Sequence, residues 1–249
     1  MKKNFKNKSL AISLGAVILI FMILGIDYFS ADKIFRGHFN YNSEETIFGN
    51  FPNVPKLHAN IDVEWNLNSD AFKEIKNLSL EKKLDKGLKL YKKGKYQQAI
   101  ELYSEILAEN PNEAVAYNRR GNVYLKLEQY DAALTDYNRA IAINPDFLKA
   151  YNNRGNAYFQ LKLYKSALAD YTRVIEINPN LEFALYNRGN VFANLGNYAA
   201  AISDYNRALQ INPNFAEVYN NRGICYKKLG ENKKARADLK KAEQLGYKN

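Results

Sequence analysis

Four arginines and four aspartates keep step along this chain. Arg120, Arg154, Arg188 and Arg222 lie 34 residues apart, and 16 residues after each comes Asp136, Asp170, Asp204 or Asp238. A guanidinium and a carboxylate at fixed spacing can form a two-point, charge-assisted pair. Such a pair can polarise a substrate, seat an anion, or brace two elements. Four copies favour the brace, because one active site needs one set. Other chemistry lacks its parts. The histidines are His38 and His58, far from the single cysteine, Cys225. Neither a metal cluster nor a nucleophile–base set assembles from them. No glycine-rich phosphate loop is present. The residues imply no catalytic group, no metal, no cofactor and no small-molecule substrate, so the chain reads as a non-enzyme. Cys225 stands where the neighbouring repeats carry Lys89, Val123, Ala157 and Val191, which suits a small packed thiol.

The Arg–Asp pairs belong to a larger period. Gly121, Gly155, Gly189 and Gly223 share the 34-residue spacing, as do Pro111, Pro145, Pro179 and Pro213. Counting back from Gly121 reaches Gly87, which gives five units: 80–113, 114–147, 148–181, 182–215 and 216–249. Within a unit, positions 4, 8 and 11 fall on one face of a first helix, A, and positions 20, 24 and 27 on one face of a second, B. Small residues at 8 and 20 oppose bulky ones at 4, 11 and 24, so the two helices can approach closely. An Asn-Pro step near each unit's end stops helix B, since the residue before proline leaves the α region. Position 7 holds the arginine and position 23 the aspartate, so the pair is predicted to tie A to B in units 2–5. Unit 1 has Lys86 and Leu102 there instead. One unit cannot bury its apolar face alone; a stack of five can.

This frame resembles the tetratricopeptide repeat (TPR) family. Position 4 carries Tyr117, Tyr151, Leu185 and Tyr219; position 11 carries Tyr124, Tyr158, Phe192 and Tyr226. Position 20 is Ala99, Ala133, Ala167, Ala201 and Ala235, and position 24 is Tyr103, Tyr137, Tyr171 and Tyr205. The departures are terminal: Lys83 and Leu90 in unit 1, Leu239 and Tyr247 in unit 5. The resemblance implies an all-α solenoid of five helix-turn-helix repeats. It also implies that the A helices line a concave groove that holds a peptide or protein partner. The candidate groove residues are Asn118, Asn122, Asn152, Asn153, Asn156, Phe159, Phe183, Tyr186, Asn187, Asn190, Asn220 and Asn221. An amide both donates and accepts, so a ladder of amides can pair with a peptide backbone. The pattern is similar to the asparagine ladder of the O-GlcNAc transferase repeats. The alternative is that these amides belong to the repeat subtype or bond within their helices. The carboxylate-clamp pattern of some family members is incomplete: position 5 is never lysine.

The chain has a leader before the repeats. Residues 1–9 hold Lys2, Lys3, Lys6 and Lys8, and residues 10–26 are uncharged. At about 1.5 Å per residue this apolar run reaches roughly 25 Å, near the lower limit for a membrane span. The expected organisation is a basic cytoplasmic tail at 1–9, a transmembrane signal anchor at 10–29, a mostly irregular linker at 30–79, and the solenoid at 80–249. Lysines before the span place the repeats on the non-cytoplasmic side. A cleaved signal, leaving a secreted or periplasmic protein, is the alternative; Phe29 before Ser30-Ala31 fits a cleavage site poorly. A short helix is expected from about Ser69 to Leu78. Net charge is +10, but it collects at the ends, in seven lysines within 80–95 and eight basic residues within 227–249. The repeats between are nearly neutral, without the basic stripe a nucleic-acid groove requires.

Overall fold

A computed structural model describes residues 69–248, with side chains from residue 77 onward. The tail, the anchor expected over 10–29 and most of the expected linker lie outside the described residues. Among the described residues, no helix is long and apolar enough to cross a membrane.

Backbone contacts divide the chain into two units, 1–85 and 86–249. In the first, residues 69–85 are helical and form the start of α1, Ser69–Lys92. The short helix expected to stop near Leu78 does not stop. Nothing breaks it: the stretch has no proline, and its one glycine, Gly87, lies well inside the helix.

In the second unit, α2 (Tyr96–Glu109) is helix B of repeat 1. Repeat 2 is α3 (Ala114–Lys126) and α4 (Tyr130–Ile143). Repeat 3 is α5 (Leu148–Gln160) and α6 (Tyr164–Ile177). Repeat 4 is α7 (Glu182–Asn194) and α8 (Tyr198–Ile211). Repeat 5 is α9 (Ala216–Lys228) and α10 (Asn232–Gln244). From α2 onward each helix packs on the next in sequence. The A helices also meet one another, α3 with α5, α5 with α7 and α7 with α9, whereas no two B helices meet to that extent among the described residues. The A helices therefore form the inner wall of the stack, as a groove requires.

The contact that sets helix spacing joins positions 8 and 24. A Cβ on Gly121, Gly155 or Gly189 would stand 2.7, 2.8 or 2.6 Å from Cε1 of Tyr137, Tyr171 or Tyr205. Those rings are essentially fully buried, with Ala133, Ala167 and Ala201 beside them in the core. Burying a side chain of this size stabilises by about 2 kcal/mol.

The turns repeat as well. After each A helix the chain passes through a left-handed residue at position 15. It is Gly94, Gly196 or Gly230 in three repeats, but Glu128 (φ 58°) and Lys162 (φ 59°) in the other two. A bond from Gln129 N–H back to Tyr124 C=O (2.9 Å) closes the turn, and Leu163 to Tyr158 (2.8 Å) repeats it. This is the Schellman arrangement at a helix C-terminus. At the end of the B helix in repeats 1–4 the residue before proline is extended, as at Asn144 (φ −129°, ψ 95°). Its Oδ1 accepts from the N–H two residues on, 3.1 Å to Asp146 and 3.1 Å to Asn180 from Asn178. The asparagine side chain thus gives an acceptor to the first N–H beyond the proline, as in an Asx turn.

Candidate partner-binding groove

The groove is positioned by braces behind it. Arg154 on α5 donates Nε–H to Asp170 Oδ2 (2.9 Å) and Nη2–H to Oδ1 (2.6 Å) on α6. The same two-point pair joins Arg120 to Asp136, Arg188 to Asp204 and Arg222 to Asp238. All four pairs predicted from the sequence are present. Hydrogen bonding to the carboxylates holds the guanidinium groups of Arg120, Arg154 and Arg188 above their ordinary pKa. The third arm of each arginine reaches back to helix B of the preceding repeat. Nη1 donates to Ser104 Oγ (2.8 Å), Asn138 Oδ1 (2.6 Å), Thr172 Oγ1 (3.2 Å) and Asn206 Oδ1 (2.7 Å). Each arginine therefore pins three helices and is unavailable to a substrate. The sequence reading missed this third arm. Its signal was weak, because position 25 keeps only a polar character.

The groove amides form a second network. Asn122, Asn156 and Asn190 accept through Oδ1 from the hydroxyls of Tyr137 (2.8 Å), Tyr171 (2.7 Å) and Tyr205 (2.7 Å). The asparagine three positions earlier in the unit bonds to the preceding repeat. Asn153 Nδ2 donates to Asn118 Oδ1 and Asn187 Nδ2 to Asn152 Oδ1, each at 3.0 Å. Asn187 Nδ2 also reaches Asn156 Oδ1 (3.5 Å). Asn221 Nδ2 reaches Asn190 Oδ1 (2.9 Å) and the Tyr186 hydroxyl (3.3 Å). The amides thus knit successive A helices together, a use that neither a free ladder nor bonding within one helix describes.

A cavity of about 640 Å³ opens on this face of repeats 1–4. Six of the twelve candidate residues line it: Asn122, Asn153, Asn156, Phe159, Asn187 and Asn190. Asn118 and Asn220 do not; they are 4% and 5% exposed, because the next asparagine layer covers Asn118 and Asn221 bonds Asn220. Asn152, Tyr186 and Asn221 are half-buried within the network, the Tyr186 ring lying 5.0 Å from that of Phe215. Phe183 is exposed, away from the cavity. The lining adds Tyr91, Lys126, Glu128, Tyr130 and Gln160. Tyr91 stands at position 12 of its unit and Lys126 and Gln160 at position 13 of theirs, on the last turn of the A helices, and none of the three is an asparagine of the expected ladder. Glu128 and Tyr130 enter from the turn and the start of helix B, which no helix-face count includes.

Cys225 is 1% exposed, and burial pushes its thiol up to about 11. It behaves as a small apolar residue, not as a nucleophile. Among the described residues, no group of His, Cys, Asp and Glu is gathered to hold a metal ion.

Comparison with known proteins agrees with the repeat fold. Family profiles described as TPR repeat or tetratricopeptide repeat match residues 90–135, 121–162, 148–181, 189–230 and 216–245. No curated protein sequence matches the chain. A crystal structure of MamA is similar at 26% identity and TM-score 0.59, covering 64% of this chain and 93% of that one. MamA of AMB-1 is similar at 28% identity and TM-score 0.58, covering 66% and 96%. YrrB, described as a TPR protein with an unusual peptide-binding site, is similar at 25% identity and TM-score 0.56, covering 66% and 84%. With five stacked helix pairs, the Gly–Tyr contacts and these matches, the chain belongs to the tetratricopeptide repeat family.

Proposed function

We propose that this chain is a non-enzymatic scaffold that holds an extended segment of a protein partner along the A-helix face of repeats 2–4. The observation that carries the reading is the cavity there. It is lined by six amides, five asparagines and Gln160, and by aromatic rings, Tyr91, Phe159 and Tyr130 among them. Amides supply hydrogen bonds to a backbone and the rings supply adhesion. The peptide-binding site named for YrrB supports the same use of this fold. A photoreactive residue at Phe159 should give adducts with partner protein in cells, and one at Arg173, exposed on α6, should not. Replacing Asn122, Asn156 and Asn190 together by Ala should remove the Phe159 adducts while helix content is retained. Equal adducts from both positions, or adducts that survive the triple substitution, sink the reading.

The Lys-flanked apolar run at 10–26 supports a membrane tether with the repeats on the non-cytoplasmic side. N-terminal sequencing of the mature protein tests the tether. A start near residue 31 would instead make the chain a secreted or periplasmic helper.

A further inference from the structure

The amides of the groove are polarised. Asn122, Asn156 and Asn190 turn their oxygens inward to tyrosine hydroxyls, an assignment that follows from the hydrogen-bond network. Their Nδ2 groups donate to no protein atom among the described residues, where no side-chain nitrogen or oxygen is both buried and unpartnered. Those NH2 groups therefore open on the groove. Asn153 and Asn187 are reversed. Each spends Nδ2 on the preceding repeat, which leaves Oδ1 as the acceptor on the groove side. At the junction of repeats 2 and 3, Asn122 offers a donor and Asn153 an acceptor. At the junction of repeats 3 and 4, Asn156 and Asn187 do the same. The series ends there. Asn221 Oδ1 already accepts from Asn220 Nδ2 (3.1 Å), and Ile224 replaces the next donor. The charged lining, Lys126 and Glu128, balances.

We propose that Tyr137 and Tyr171 are positioning residues whose hydroxyls lock amide polarity, so that the groove reads the backbone of an extended, uncharged peptide at two repeat junctions. This rests on the groove reading above. A residue in an extended chain turns its own N–H and C=O to the same side, so one donor–acceptor junction matches one peptide residue. A strongly acidic or basic segment finds no surplus of opposite charge along the lining. An apolar side chain meets Phe159 and Tyr91.

The test uses the full chain in mild detergent and three pools of short fluorescent peptides, uncharged, acidic and basic, read by anisotropy. The uncharged pool should bind about tenfold more tightly than either charged pool. Tyr137→Phe with Tyr171→Phe should weaken that binding about tenfold, with the thermal midpoint recorded alongside. Asn156→Asp keeps an oxygen facing Tyr171 and deletes the outward N–H, so it should lose binding and keep its helix content. Asn187→Asp deletes the inward donor to Asn152, so it should lower the thermal midpoint. Preference for a charged pool overturns the proposal, as does wild-type affinity in the tyrosine double variant or in Asn156→Asp. If the tyrosine variant does not fold, Asn156→Asp decides. If the unaltered chain binds no pool, the groove reading itself fails.

Discussion

Gly155 and Tyr171 touch where no larger residue fits: a Cβ on the glycine would stand 2.8 Å from Cε1 of the ring. The hydroxyl of that ring then bonds Asn156, the residue after the glycine, at 2.7 Å. One side chain therefore fixes the distance between α5 and α6 and also aims a groove amide. Stability and recognition share this contact, so a change that loosens the helix pair also turns the amide.

Gly155→Ala tests the steric half. Alanine in a helix interior gains about 1 kcal/mol over glycine. Overpacking a rigid, buried ring costs about 1–3 kcal/mol, and a Tyr171 ring that withdraws gives up its hydrogen bond to Asn156. The expected net loss is about 1 kcal/mol, seen as a lower urea midpoint with the m-value unchanged. Gly223→Ala is the control. Its nearest neighbours are Leu239 Cγ at 3.1 Å and Ala235 O and Asp238 Cβ at 3.3 Å, each looser than the ring at Gly155, so the loss should be smaller. Equal losses at both positions would refute the steric account.

The Arg188–Asp204 brace should respond unequally to the loss of either partner. The aspartate side chain is 4% exposed and the arginine 17%. Arg188→Met leaves a buried carboxylate without its partner and cuts the tie to Thr172. Asp204→Asn leaves a guanidinium that water can still reach. Breaking a buried pair costs about 3–5 kcal/mol, so Arg188→Met is expected near that range and Asp204→Asn well below it. Chemical denaturation of both variants and of the double variant gives the coupling. The reverse order would show that burial does not set the cost.

Glu128 and Lys162 hold left-handed backbone that glycine holds in three other repeats. A non-glycine residue there costs about 1–2 kcal/mol, while glycine carries extra unfolded-chain entropy worth roughly 0.5–1 kcal/mol. Glu128→Gly and Lys162→Gly are each expected to stabilise by about 0.5 kcal/mol, measured as a raised thermal midpoint. Glu128 lines the cavity and Lys162 does not. Only Glu128→Gly should therefore alter partner capture.

The legible parts of this chain are those that repeat for steric reasons. Gly155 and Tyr171 recur because a ring can meet a backbone only where a side chain is missing. Arg154 and Asp170 were readable as a pair because both partners vanish together in repeat 1, as Lys86 and Leu102. The amides were legible as a class but not by orientation. Residue type names both ends of an asparagine, and only the Tyr171 hydroxyl and a neighbour about one repeat away choose between them. One clue was present. In repeat 5 the asparagine and the tyrosine disappear together, as Ile224 and Leu239. Burial of Asn118 was hidden for a related reason: a helix-face count knows its own helix but not that Asn153 lies over it. The start of α1 at Ser69 was legible from its polar cap, but its unbroken run into repeat 1 was not, because the 34-residue pattern marks a unit's first residue and says nothing of a helix that continues through it.

Alkaline pH should unfold the stack at its tyrosines. Burial raises the phenol pKa of Tyr137, Tyr171 and Tyr205 well above the ordinary 10.0, and raises the Cys225 thiol from 9.0 to about 11. For groups raised in the folded state, the unfolded chain loses its protons first. Their stabilisation is complete below pH 9 and falls as pH rises past the unfolded values. Above the unfolded pKa each such group removes about 1.4 kcal/mol per pH unit. Three tyrosines together then remove about 4 kcal/mol per unit, a large part of a typical domain's stability. Helix content is therefore expected to hold to about pH 10 and be lost cooperatively within roughly the next unit. Tyrosinate absorbance should rise in the same step. Gradual ionisation with the helices intact would mean that these rings are open to water and that their hydroxyls do not fix the groove amides.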